Sequence, residues 1–181
     1  MVVASPDGEA FEPAFAGGSQ LEEAEVMTDD GEAILAGQLL RSARSVLVID
    51  WPSCDVPESL ARAGLEVIVR SGPGTANHNR YHADGDQIVV RPAGNGPAQV
   101  DLVYCHRPVS ELPGIAGLAR SLGARAVWRQ SGLAADGVRD PAGTWVPEEE
   151  SQRAHAIVEA SGLAYIEALY IVDAVAAIRR H

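Results

Sequence analysis

Ser45-Val46-Leu47-Val48-Ile49-Asp50-Trp51-Pro52-Ser53 runs an unbroken aliphatic stretch into a helix-starting pair. A short continuous apolar run suits a strand buried on both faces, as in a parallel sheet. The same pattern recurs at Leu65-Glu66-Val67-Ile68-Val69, Gln99-Val100-Asp101-Leu102-Val103-Tyr104-Cys105, Ala124-Arg125-Ala126-Val127-Trp128 and Leu163-Ala164-Tyr165-Ile166. A shorter run, Gln87-Ile88-Val89-Val90, reads as a further strand. Helices are expected over residues 29–42, 53–63, 110–122, 148–160 and 168–179, with Gly64, Gly123 and Gly162 as helix-ending residues. Residues 71–86, rich in Gly, Pro, Asn and Asp, read as a long loop, and residues 134–147 as an irregular insertion. Strands alternating with helices predict one α/β domain: a Rossmann-like, doubly wound, mainly parallel sheet of five to six strands flanked by helices.

The chain has 181 residues, with 14 basic against 25 acidic side chains and a formal net charge of −11. Every base is Arg. Nine acids and no base fall in residues 1–32, so the rest of the chain is close to neutral. Residues 1–26 read as a flexible acidic extension and residues 27–181 as the domain. The acidic balance argues against a nucleic-acid or membrane-surface binder, because phosphate backbones and anionic lipids demand a basic face. No apolar run reaches the roughly 18 residues of a membrane span, and no signal peptide is evident. Cys54 and Cys105 lack metal-ligand spacing and cannot make a disulfide scaffold, so a reducing cytoplasm is the expected compartment.

Ligands of doubly wound sheets lie outside the carboxyl ends of the strands. The residues there are Asp50-Trp51-Pro52-Ser53, Arg70-Ser71, Arg91-Pro92, His106-Arg107-Pro108 and Arg129-Gln130-Ser131-Gly132. Arg stands at four of these five ends, and guanidinium forks suit bidentate phosphate recognition. The other reading is that solvated Arg residues simply end the strands. No GxGxxG or GxxxxGK[ST] pattern follows any strand, so a standard dinucleotide or P-loop site is not expected.

Val100-Asp101-Leu102-Val103-Tyr104-Cys105-His106-Arg107-Pro108 and Gly123-Ala124-Arg125-Ala126-Val127-Trp128-Arg129-Gln130-Ser131-Gly132 resemble two strand ends of the small CoA-binding protein family. That family is similar to the CoA-binding N-terminal domain of the succinyl-CoA synthetase α subunit. The resemblance covers roughly residues 30–170 and implies a Rossmann-like fold with CoA held by strand-end loops. By it, Arg107 and Pro108 face the nucleotide, and Gln130 and Gly132 line the floor of the site. Ser53 keeps the family's helix start. Three features depart from the pattern, one being the family's Pro-Val-Asn-Pro-type end of the second strand, replaced here by Val69-Arg70-Ser71-Gly72-Pro73. The glycine loop that precedes Pro52-Ser53 is missing, so Asp50 puts a negative charge where a pyrophosphate would lie. Arg129 stands where the family carries an apolar residue. Arg70 with the Ser71-Gly72-Pro73-Gly74-Thr75 loop is a substitute phosphate cradle or a plain connection.

Candidates for catalysis are thin. Cys54 beside a helix start is incidental unless activated, and Cys105 reads as a buried apolar residue. His78 and His82 have the spacing of a metal pair on a helix, but their polar setting favours ordinary loop residues. Glu148-Glu149-Glu150 reads as an acidic helix start. Trp51 and Trp128 either stack on an adenine or plug the sheet. The expectation is a non-catalytic binder of CoA, an acyl-CoA or another adenine nucleotide, with cofactor-binding residues Ser53, Arg70, Ser71, Arg107, Pro108, Gln130 and Gly132. The alternative is a degenerate family member that has lost CoA and serves as a protein-interaction module.

Overall fold

The computed structural model describes residues 29–50, 52–71 and 77–179. The acidic segment 1–26, Trp51 and the Gly72–Thr75 stretch lie outside the described residues. Among those residues a sheet of seven strands forms: β1 (Ser45–Ile49), β2 (Glu66–Arg70), β3 (His78–Asp84), β4 (Gln87–Pro92), β5 (Leu102–Cys105), β6 (Ala126–Arg129) and β7 (Ala164–Ile166). Their spatial order is β4-β3-β2-β1-β5-β6-β7. The five strands β2-β1-β5-β6-β7 are parallel, so the fold is the expected Rossmann-like α/β architecture. The chain leaves β1 toward β2 on one side and returns to β5 on the other, which puts the topological switch point between β1 and β5.

The sheet exceeds the expected five to six strands because residues 78–84 are a strand and not a loop. β3 runs antiparallel to both β2 and β4. The polar composition of β3 concealed it: only Tyr81 and its partner strand's Ile88 pack on the core, so one face carries no apolar signal. The run Gln99–Cys105 also gives a shorter strand than its sequence suggests, beginning at Leu102.

Helices α1 (Asp29–Ser42), α2 (Asp55–Arg62) and α5 (Ile171–Arg179) cover one face through a core of Val46, Val48, Leu60, Val67, Tyr104 and Trp128. Helices α3 (Leu112–Ser121) and α4 (Glu148–Glu159) cover the other through Leu47, Ile49, Ile68, Val103, Leu112 and Tyr165. Alternate residues of each parallel strand thus feed opposite cores, which explains the unbroken aliphatic runs.

Two carboxylates tie distant segments together. Asp101 Oδ2 accepts the Arg44 amide at 2.8 Å, the Ser45 amide at 3.1 Å and the Ser45 hydroxyl at 3.2 Å, pinning the start of β1 beside β5. Burial alone would raise this carboxyl, but the two amides and the hydroxyl hold it below the ordinary aspartate value. Glu32, 6% exposed, reaches from α1 to the end of β7, where Oε1 accepts the Glu167 amide at 2.8 Å and the Ala168 amide at 2.7 Å. Desolvation by burial outweighs those two bonds and raises the Glu32 carboxyl.

The two groups have opposite linkage signs. Asp101, with its lowered value, stabilises the fold above the ordinary carboxylate range and loses that contribution as pH falls through its folded value. Asp101→Ala removes three bonds to one oxygen and should cost about 1–3 kcal/mol, read as a drop of roughly 2–4 °C in the unfolding midpoint per kcal/mol. Glu32 binds a proton more tightly in the folded chain, so its contribution weakens as pH rises from the ordinary value through the raised one. Glu32→Gln keeps an acceptor for both amides without the charge. Thermal unfolding from pH 4 to 7 should show a smaller fall with pH in this variant, while Glu32→Ala destabilises throughout.

Candidate functional site

The site is built where β1, β2, β5 and β6 end. β1 is followed by Asp50 with φ of 56°, the only non-glycine residue with positive φ among the described residues. Such a conformation costs on the order of 1–2 kcal/mol for an L-residue, least for Asn and Asp. It is held by a hydrogen bond from the Asp50 amide to the Arg70 carbonyl at 3.1 Å and by an ion pair from Oδ2 to Arg107 Nη1 at 3.3 Å. Arg107 is gripped from the other side by Glu111, which accepts from Nε at 2.8 Å and from Nη2. The hydrogen bond to Arg107 drives the Glu111 carboxyl down and raises the guanidinium. Arg107 therefore spans two carboxylates of its own chain instead of presenting an open fork.

The N-terminus of α2 is equally closed to an anion. Asp55 and Glu58 occupy its first turn, and the Cys54 cap position makes no side-chain capping bond. The Ser53 hydroxyl donates to Asp55, and so does the Tyr170 hydroxyl. The helix dipole is already answered by carboxylates. Cys54 is exposed, whereas Cys105 is buried and its thiol is pushed up to about 12 by desolvation, which removes it as a nucleophile at neutral pH.

At the end of β6, Arg129 turns inward. Its side chain is 5% exposed and pairs with Glu150 and, at 3.8 Å, with Glu167. Its Nε donates to the Arg107 carbonyl at 2.9 Å. Nη1 is buried without a hydrogen-bond partner among the described residues. Gln130, 1% exposed, accepts from the Tyr104 hydroxyl at 3.2 Å and donates to the Ala142 and Gly143 carbonyls. It fastens residues 142–143 to the sheet, its side-chain amide engaged in internal hydrogen bonds. Gly132 has φ of 70°, and a Cβ there would lie 2.5 Å from His106 Cε1, so this turn admits no side chain. Trp128 is fully buried and donates its Nε1 hydrogen to the Leu169 carbonyl at 2.9 Å; it plugs the core and does not stack on a ligand. A smaller hollow of about 260 Å³ remains at the end of β6, lined by His106, Arg107, Pro108, Gln130, Ser131 and Glu150 together with Arg129.

The larger opening lies beside α3. A cleft of about 470 Å³ is bounded by Ile49, Asp50, Arg70, Ser110, Glu111 and Gly114, with Ile115 and Leu118 as its apolar wall. Arg70, half-buried at the end of β2, makes no ion pair or side-chain hydrogen bond among the described residues. Of the strand-end arginines Arg70, Arg107 and Arg129, Arg70 alone keeps its guanidinium available among the described residues; Arg107 and Arg129 are spent on carboxylates. Ser71 follows Arg70 and is exposed, while Ser53 and Gln130 are engaged internally. Glu111, Ser110 and Gly114 escaped the sequence reading because their relevance depends on how α3 docks over β1. His78 and His82 lie on β3 four residues apart, roughly 13 Å along a strand, so the helical metal-pair spacing does not apply. No group of three or more His, Cys, Asp or Glu among the described residues is arranged to hold a metal ion, and no helix among them is long and apolar enough to cross a membrane.

Among solved structures, the chain is similar to cell-free ID.343 from Thermus thermophilus, at 14% identity, covering 81% of this chain and 98% of that one with a TM-score of 0.48. It is also similar to a protein of unknown function from Methanothermobacter thermautotrophicus, at 11% identity, covering 71% and 79% with a TM-score of 0.37. No curated protein matches it. The model of the CoA binding domain family matches residues 50–173, from the end of β1 into α5, and the chain belongs to that family.

Proposed function

We propose that the protein is a non-catalytic binder of CoA or an acyl-CoA, and that the phosphates enter the cleft beside α3 and not the start of α2. The observation that carries this reading is the uncommitted Arg70 guanidinium at the rim of a cleft next to the switch point. Guanidinium forks recognise phosphate bidentately. Ser110 supplies a hydroxyl in the same cleft, and Gly114 leaves open space there, since a Cβ at that position would meet nothing within 4 Å. Ile115 and Leu118 give the cleft an apolar wall. The start of α2 fits a pyrophosphate poorly, because Asp50, Asp55 and Glu58 surround it and no glycine loop exposes backbone amides. CoA carries several phosphate charges, and among the described residues the cleft offers one free cation, so the binding expected is weak.

A second reading rests on the same acids. The Asp50–Arg107–Glu111 arrangement satisfies the edge without any ligand, as in a family member that has lost CoA and acts as an interaction module.

Thermal unfolding with CoA, acetyl-CoA, NAD and ATP separates the two. A ligand at about 100 times its dissociation constant stabilises by about 2.7 kcal/mol, which is roughly 5–10 °C for a chain of this size. A shift with CoA or acetyl-CoA that disappears in Arg70→Gln supports the cleft reading; no shift with any of the four leaves the interaction module. Asp50→Gly removes the carboxylate facing the phosphates and suits the left-handed backbone. This variant should bind CoA more tightly than the natural sequence, about tenfold for each 1.4 kcal/mol of repulsion relieved, measured by calorimetric titration.

A further inference from the structure

The β3–β4 hairpin carries a feature that CoA binding does not use. Strand alternation and register put Arg70, His78, Arg80, His82 and Arg91, with the carboxylates Glu66 and Asp84, on one face, the face shared with Ile68 and α3. The opposite face holds Tyr81 and Ile88, which pack against the core under α2. Arg80 and Arg91 are directly opposed in the register. Both are exposed, and with His82, Pro92 and Ala93 they line a concavity of about 430 Å³. Glu66 pairs with Arg80 at 3.1 Å, through side chains that are both about half exposed. Arg91 makes no ion pair or side-chain hydrogen bond among the described residues, and neither does His82.

Like charges placed directly opposite one another on a strand pair destabilise it. Glu66 answers one of the two guanidinium groups and leaves the other. A single carboxylate cannot satisfy both forks, whereas a phosphate presents several acceptor oxygens and up to two charges to them. The concavity spans two strands, too small for the phosphate track of a duplex, and the chain as a whole is strongly acidic. We propose that this hairpin face is a second anion site, which takes a small phosphate-bearing ligand between Arg80 and Arg91 with His82 at its side. The site shares no lining residue with the cleft at Arg70, and it stands whether or not CoA binds there.

Calorimetric titration of the full chain with pyrophosphate at low ionic strength tests it. Saturable binding is expected, weakened at least about tenfold in Arg91→Gln and in Arg80→Gln, because each loses charge-assisted bonds to the phosphate. Arg70→Gln should bind pyrophosphate as the natural sequence does, which separates this site from the cleft. The Arg91→Gln chain should unfold at the same or a higher temperature, since relief of the opposed charges favours the hairpin. Undiminished binding in Arg91→Gln overturns the proposal. So does loss of binding in Arg70→Gln alone, which would assign the anion to the cleft. Tighter binding of a single-stranded oligonucleotide than of pyrophosphate, with the same dependence on Arg80 and Arg91, overturns the small-ligand assignment.

Discussion

The ion pair between Asp50 and Arg107 sets the character of the carboxyl edge. In a Rossmann-like sheet the end of the first strand is the place where glycine opens backbone amides to phosphate. Here the chain turns through a left-handed aspartate, and the charge it introduces is met by the cation that ends β5. That cation is also held by Glu111 at the entry to α3. One side chain therefore ties β1, β5 and the start of α3 into a fixed geometry, and the cleft beside α3 takes its shape from this tie. Its neighbour Arg129 repeats the logic one strand over. It links β6 to α4 through Glu150 and to the end of β7 through Glu167. The edge is cross-braced by arginine–carboxylate pairs where the sequence motif alone suggests a row of cations waiting for phosphate.

Burial sharpens this difference. Arg129, Glu32 and Glu167 are each nearly inaccessible, and taking such charges out of water costs several kcal/mol per ion unless partners answer them. The answers are local: the Glu167 and Ala168 amides for Glu32, the Ser151 and Tyr165 hydroxyls for Glu167, and two carboxylates with one carbonyl for Arg129. Among the described residues, Arg129 Nη1 is the buried side-chain polar atom of this network that has no hydrogen-bond partner. A guanidinium enclosed in this way cannot swing out to a ligand without leaving two carboxylates exposed to each other. Its role is to hold α4 and the end of β7 around the end of β6. Glu32 and Glu167 come from opposite ends of the chain, so the first helix closes onto the last strand through the same network.

Much of the fold was legible because parallel strands buried on both faces leave continuous aliphatic runs, and glycines with positive φ end three of the helices where expected. The hairpin was not legible. β3 reads His-Asn-Arg-Tyr-His-Ala-Asp, and a strand whose open face is polar and whose other face contributes one tyrosine to the core gives no period-two signal. The site divides the same way. The positions of Arg70, Arg107 and Arg129 at strand ends followed from the runs before them. Their availability did not, because the carboxylates that consume Arg107 and Arg129 come from α3, α4 and the end of β7, whose docking no local pattern encodes. Gln130 follows the end of β6, and its side-chain polar atoms are engaged by Tyr104 and Gly143, partners that no local pattern encodes.

The hairpin also has a structural problem to solve. β4 is the edge of the sheet and presents a row of unpaired backbone groups that invites another strand. Pro92 at its end and an exposed charge at Arg91 are both devices that blunt such an edge. Edge protection accounts for Arg91 taken alone. It does not account for Arg80, which sits on the inner strand of the hairpin, where an arginine opposite Arg91 works against pairing. Glu66 could neutralise Arg80 equally well if position 91 carried an acid or an amide, and either would guard the edge. The retained pair of opposed guanidinium groups, beside a histidine and over a concave floor, is therefore what an anion requires and what an edge strand does not.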